Sequence, residues 1–270
     1  LIEAGKHVIC EKPITVEPEE LAELQTLAKK NGVVYVEAIM YMFNPAKELL
    51  KDAIGKIGKI TSVHFDFSQL SSKYPAYLEG KLPNIFNPAL ATGCLMDLGI
   101  YCVYPALDLF GLPEKITACA HFMESGADGS GNAALLYPDK LINFTYSKLG
   151  QDRLGSQIFG DEGTIVIESI SKLTNMKLIL KNGDTQEIIG DVEKERLMGY
   201  EAAGFEHFIA LFVTGTMLGY ILDVIGFSDA MQGIVSTVAT FTCGAQLCAI
   251  FFKPTRRKRL VTVGHLINQT

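Results

Sequence analysis

The sequence opens without a basic stretch leading into an apolar core and a small-residue cleavage site, so no secretory signal is read there. It has no C-x-x-C pair. Its six cysteines (Cys10, Cys94, Cys102, Cys119, Cys243, Cys248) are scattered through apolar stretches, and a chain of 270 residues builds a core without disulfide staples. Reduced, mostly buried thiols in a cytoplasmic protein are expected. The five histidines (His7, His64, His121, His207, His265) lack H-E-x-x-H or any comparable ligand spacing, so no metal is expected. Positive charge is also scarce: 24 Lys and Arg stand against 30 Asp and Glu, a net charge of −6. The basic run Lys253–Arg259 is short and has no interleaved aromatics, so no nucleic-acid partner is expected.

What is present is a globular composition, 48% hydrophobic and 20% charged, which excludes disorder and low-complexity fibres. The mean hydropathy of +0.22 is high for a soluble enzyme and unevenly spread. Residues 1–207 carry a net charge of −9, and residues 208–270 carry +3. The start reads as a helix end closed by Gly5, then a short buried strand at His7–Cys10 broken by Glu11-Lys12-Pro13. Pro18 suits a first helical position, Leu21, Leu24, Leu27 and Ala28 form one apolar stripe, and Asn31-Gly32 ends the helix. Val33–Val36 is a second buried strand, so the segment is a βαβ unit whose two strands are expected to be parallel. Another helix is predicted from Pro45 to Ile54.

After Lys59 the period changes. Val63, Phe65 and Phe67 alternate with polar residues, as in a half-solvated strand. Further strands are predicted at Ile116–Met123, Leu141–Ser147, Gln157–Phe159, Thr164–Glu168, Met176–Leu180 and Glu187–Ile189, with Asn182-Gly183 as a type I′ hairpin turn. One long helix, from about Cys94 to Phe110, interrupts this mostly antiparallel sheet.

Two segments carry candidate chemistry. Lys12 lies in a turn at the carboxyl end of a strand, the edge at which open α/β sheets bind ligands, and Pro13 stiffens that turn. Asp97 and Tyr101 are four residues apart, so on a helix they share a face. Taken singly, each has a plainer reading: a solvated lysine, a first-turn dipole partner, a core aromatic.

Together the segments resemble the Gfo/Idh/MocA oxidoreductases. Gly5-Lys6-His7-Val8-Ile9-Cys10-Glu11-Lys12-Pro13 resembles the A-G-K-H-V-x-x-E-K-P signature, and Glu37-Ala38-Ile39-Met40-Tyr41 the E-A-x-M-Y segment. Met96-Asp97-Leu98-Gly99-Ile100-Tyr101 resembles the D-x-G-x-Y/H helix, and Gly160-Asp161-Glu162-Gly163-Thr164 the turn of the C-terminal sheet. The wording is most similar to the dihydrodiol dehydrogenase and NADP-linked xylose dehydrogenase branch. The resemblance implies an α/β fold: the C-terminal part of a Rossmann-type parallel sheet over 1–58, then an α+β substrate and dimerisation domain with a mostly antiparallel open sheet over 59–207. It implies hydride transfer between a sugar-like, polyol or diol CH–OH group and NADP or NAD, in a homo-oligomer. Lys12 and Tyr101 would be catalytic, with Asp97 orienting the substrate or the tyrosine, and Glu11, Lys12 and Pro13 would border the cofactor. A phenol with an ordinary pKa of about 10 is a poor base at neutral pH, and a neighbouring ammonium favours its ionised form.

Three departures stand against that pattern. No G-x-G-x-x-G fingerprint occurs in the 270 residues, so an N-terminally truncated chain with weak dinucleotide binding is expected. The family's Y-R-F-H-P reads Tyr41-Met42-Phe43-Asn44-Pro45, which removes two polar groups expected at the cleft. The end, 208–270, is a divergent apolar helical tail: Phe208–Leu222 and Ala230–Phe252 carry no charge, and the latter's 23 residues are long enough to span a bilayer. A catalytically inactive sugar- or nucleotide-binding relative and a membrane-tethered fusion over 208–252 therefore stand as alternatives.

Overall fold

The computed structural model describes residues 1–188 and 196–209. The βαβ reading holds in element order: β1 (Val8–Glu11), α1 (Pro18–Lys30) and β2 (Tyr35–Ala38), with β1 and β2 hydrogen-bonded as a two-stranded sheet. Pro18 opens α1, and Lys29 and Lys30 in its last turn complement the helix dipole. The expected stripe is the face it turns inward: Ala28 is buried, and Leu24 and Leu27 join Ile2, Val8, Val33 and Tyr35 in a small core. That core belongs to one compact unit, which takes in Leu1–Cys10, Glu17–Glu37 and the described residues from Ala202 onward.

The second and larger unit is Glu11–Val16 with Ala38–Glu201. Its helices are α2 (Met40–Phe43), α3 (Ala46–Ile54), α4 (Tyr74–Leu78) and α5 (Ile100–Phe110). Its strands are β3 (Ile60–Ser68), β4 (Lys115–Phe122), β5 (Asp128–Leu136), β6 (Leu141–Ser147), β7 (Ser156–Gly160), β8 (Gly163–Ser169), β9 (Thr174–Leu180) and β10 (Thr185–Ile188). The eight strands form one sheet in the order β10-β9-β8-β7-β3-β6-β5-β4. Every pairing is antiparallel except the central β3–β6 seam, which is parallel from Ser62↔Leu141 to Ser68↔Ser147. Period-2 alternation sends Val63 and Phe65 of β3, Ile142 and Phe144 of β6, and Ile165 and Ile167 of β8 into one core. Leu50 of α3 and Cys102 and Ala106 of α5, each fully enclosed, pack into it.

Three details differ from the sequence reading. Strand β5 was not expected, because its Asp-Gly-Ser-Gly-Asn-Ala-Ala run has low strand propensity; it forms because it pairs along its length with both β4 and β6. The β9–β10 hairpin is present, but its turn is not type I′. Gly183 alone has positive φ (92°), the Gly183 amide donates to Leu180 O, and the Leu180 amide donates to Asp184 O. This is a type I turn closed by a glycine bulge. Among the four described cysteines Cys119 is exposed rather than buried. Of the tail expected over 208–270, residues 210–270 lie outside the described residues; 197–209 are helical. Among the described residues no helix is long and apolar enough to cross a membrane.

Candidate active site

The site is built around the start of the long helix. Its first turn, Leu95–Gly99, is a π-turn that runs directly into α5. The opening amides, which no helical carbonyl can satisfy, are taken by a carboxylate from β5: Asp128 Oδ1 accepts from the Cys94 amide at 2.9 Å and Oδ2 from the Leu95 amide at 2.7 Å. Gly93 makes room for it, since a Cβ there would lie 2.0 Å from Asp128 Oδ1. A remote strand thus sets where the π-turn begins, and so where Asp97 stands.

Lys12, Asp97 and Tyr101 come together within the larger unit. Lys12 follows the last residue of β1, and its peptide bond to Pro13 is cis. Its Nζ donates to Asp97 Oδ1 at 2.5 Å and to the Asp97 main-chain carbonyl at 2.8 Å. The same Nζ stands 5.2 Å from the centroid of the Tyr101 ring, within cation–π range. Tyr101 is buried, and Phe67 of β3 meets it edge to face at 5.5 Å. A second cation completes the cluster: Lys148 Nζ donates to Asp97 Oδ2. The Lys148 side chain is 2% exposed, against 15% for Lys12 and 38% for Asp97. Burial works against ionising Asp97, but the two ammonium groups outweigh it and hold the carboxyl below the usual carboxylate range.

Lys148 was missed in the sequence, although a signal for it was there. Ile142, Phe144 and Tyr146 of β6 point into the core, and continuing that alternation by one step puts residue 148 on the same side. Of the other cofactor candidates, Glu11 is exposed and Pro13 half-buried. Glu201, raised first by its burial, also feels the Glu11 charge. Met42 is partly buried against the core. Asn44 is enclosed and structural: Oδ1 accepts from the Ala46 amide at 2.9 Å, holding the first turn of α3, and Nδ2 donates to Lys172 O at 2.7 Å. A hollow of about 840 Å³ lies over β3, β8 and β9, lined by residues that include Asp66, Arg153, Glu168 and Lys177. Lys12, Asp97 and Tyr101 do not line it. Among the described residues no group of three His, Cys, Asp or Glu side chains is placed to hold a metal ion.

Comparison with known proteins shows the family. Residues 1–38 match the model described as oxidoreductase family, NAD-binding Rossmann fold, and residues 43–166 the GFO/IDH/MocA C-terminal domain. The chain is 37% identical over 201 residues to scyllo-inositol 2-dehydrogenase (NADP(+)) of Bacillus subtilis, covering 74% of this chain and 61% of that protein. It is 32% identical over 189 residues to mouse trans-1,2-dihydrobenzene-1,2-diol dehydrogenase, covering 68% of this chain and 54% of the relative. It therefore spans rather more than half the length of these curated relatives. Among solved structures, aldose-aldose oxidoreductase from Caulobacter crescentus, complexed with glycerol, shares the fold with a TM-score of 0.64 at 23% identity, covering 79% of this chain and 64% of that one. Sequence signature, family models and fold converge: the chain belongs to the Gfo/Idh/MocA oxidoreductase family.

Proposed function

We propose that the protein carrying this chain is an NADP- or NAD-dependent dehydrogenase that oxidises a CH–OH group of a cyclic polyol, sugar-like alcohol or diol. The observation that carries this reading is the convergence of Lys12, Asp97 and Tyr101 from chain segments far apart in sequence. Support for the substrate class comes from the relatives, which are named as dehydrogenases of scyllo-inositol and of a dihydrobenzene diol. The residues present suit the reacting end of a nicotinamide dinucleotide: a half-buried cation fixed by two acceptors of Asp97, beside a phenol. No G-x-G-x-x-G run is present to cradle the pyrophosphate, so these residues provide for the reacting end alone.

When bound, the nicotinamide supplies the hydride acceptor. The chain's own residues handle the proton and the geometry. Tyr101 Oη takes the hydroxyl proton as the C–H electron pair leaves the alcohol carbon. Lys12 favours the ionised phenol and hydrogen-bonds the alcohol oxygen. Asp97 fixes Lys12 through two acceptors, so that the ammonium does not swing away.

The test is reduction of NADP+ or NAD+, followed by nicotinamide absorbance, with scyllo-inositol, D-xylose and a trans-dihydrodiol. Tyr101→Phe should lower kcat by about 10²–10⁴ while KM stays within a few-fold. Full turnover in Tyr101→Phe refutes the assignment of the proton acceptor. No reduction with any of the three alcohols by the full-length protein refutes the dehydrogenase reading.

A further inference from the structure

Lys148 is a lysine where lysines are rarely found. Its side chain is 2% exposed, and among the described residues the hydrogen-bond acceptor of its ammonium is Asp97 Oδ2. Burying a cation is unfavourable unless an anion sits against it. A chain that needed only to fill this position could do so with methionine. At 2% exposure the ammonium is also too enclosed to meet a substrate, so whatever it does at the site it does through Asp97.

The charge count shows what that is. Asp97 carries one negative charge and divides it between two cations, Oδ1 to Lys12 and Oδ2 to Lys148. With Lys12 alone the pair would sum to zero, the Asp97 charge opposing ionisation of the Tyr101 phenol while Lys12 assists it. With Lys148 the cluster sums to +1. Other titratable groups around the helix start do not supply this. Asp128, held by the Cys94 and Leu95 amides, and Asp66 of β3 bring negative charge and no cation, and burial pushes the Cys94 thiol up to about 12, which keeps it neutral. The Tyr146 phenol is likewise pushed up to about 12 by burial.

We propose that Lys148 is a positioning residue of the redox site: by holding the Oδ2 edge of Asp97, it leaves Lys12 an uncancelled cation against the Tyr101 ring and so makes that phenol a usable base. The proposal rests on the dehydrogenase reading for its meaning, but it can be tested without turnover. Tyr101 ionisation is read as tyrosinate absorbance in a pH titration, taking the difference between each protein and its Tyr101→Phe counterpart. Lys148→Met should move the Tyr101 midpoint up by about one pH unit or more. Lys148→Arg, which keeps the charge, should stay near the parent. With scyllo-inositol and NADP+, the acid limb of the kcat/KM profile should move up with the midpoint in Lys148→Met, so that turnover near neutrality falls about tenfold or more per unit. Circular dichroism melts confirm that each variant is folded; should Lys148→Met not fold, Lys148→Gln takes its place. An unmoved Tyr101 midpoint in a folded, uncharged variant overturns the proposal, whatever the activity. If the parent reduces no dinucleotide, the dehydrogenase reading fails separately, and the absorbance titration still decides the role of Lys148.

Discussion

The link between Gly93 and Asp128 yields a sharp prediction, because all three atoms nearest a Cβ at Gly93 belong to Asp128, at 2.0, 3.2 and 3.9 Å. Non-bonded carbon and oxygen need more than 3 Å, so Gly93→Ala must evict the carboxylate from the amides of Cys94 and Leu95. Loss of a helix cap costs ~1–2 kcal/mol, and the ionised, half-buried acceptor places this one at the upper end. Asp128→Ala should therefore cost about 2 kcal/mol, and Gly93→Ala about 2–3 kcal/mol with some strain added. In the double variant the clash is gone because its partner is gone, so it should cost about 2 kcal/mol in all rather than the sum of the two. The assay is a double-mutant cycle by urea denaturation, with thermal melts in parallel, where each kcal/mol is worth roughly 2–4 °C for a domain of this size. Single effects that add to within about 0.5 kcal/mol would show that Gly93 is not there to admit Asp128.

The remaining predictions concern charge. Burial, joined by the Asp152 charge and opposed by a Ser68 hydrogen bond, raises the Asp66 carboxyl, and its Oδ1 is enclosed without a hydrogen-bond partner. A raised acid costs stability above its folded value and is relieved below about pH 4, the unfolded value. Asp66→Asn should therefore raise Tm at pH 7, by a margin that shrinks to nothing as the pH falls toward 4; a constant margin would refute the cause. Asp97 has the opposite sign. Its carboxyl is depressed, so its contribution is present above about pH 4 and lost as pH falls through the lower folded value. Asp97→Asn should be less stable than the parent at pH 6, and the two Tm curves should converge on acidification.

Much of the larger unit was legible because a half-covered sheet writes its covered face into alternate positions. Val63 and Phe65, Ile142 and Phe144, and Ile165 and Ile167 all follow that rule. The rule fails where propensity and tertiary context disagree. In β5, Gly129, Gly131 and Ala133 have little intrinsic preference for a strand, and pairing with β4 and β6 supplies what local sequence does not. Asn44 shows the converse error. Read as the place where the family's cleft histidine is lost, position 44 holds an amide enclosed in the core, tolerable there because both of its ends are bonded.

The site divides along the same line. Lys12, Asp97 and Tyr101 stood out because each belongs to a short run with a recognisable order, and the four-residue step from Asp97 to Tyr101 is local geometry. The contacts that bring those residues together are not local. Lys12 reaches Asp97 across 85 positions, and Lys148 reaches it across 51. Asp128 caps the helix start from 34 and 33 residues further along the chain. No spacing rule connects such pairs, because the separation is set by how many strands the chain lays down between visits to one sheet end. What spacing does constrain is direction. The alternation that buries Ile142, Phe144 and Tyr146, carried one step past the end of β6, turns residue 148 inward, and a lysine so turned has to meet an anion or lose its charge. An inward lysine at the end of an apolar strand therefore implies a carboxylate opposite, and in this chain that carboxylate is Asp97, already held by Lys12.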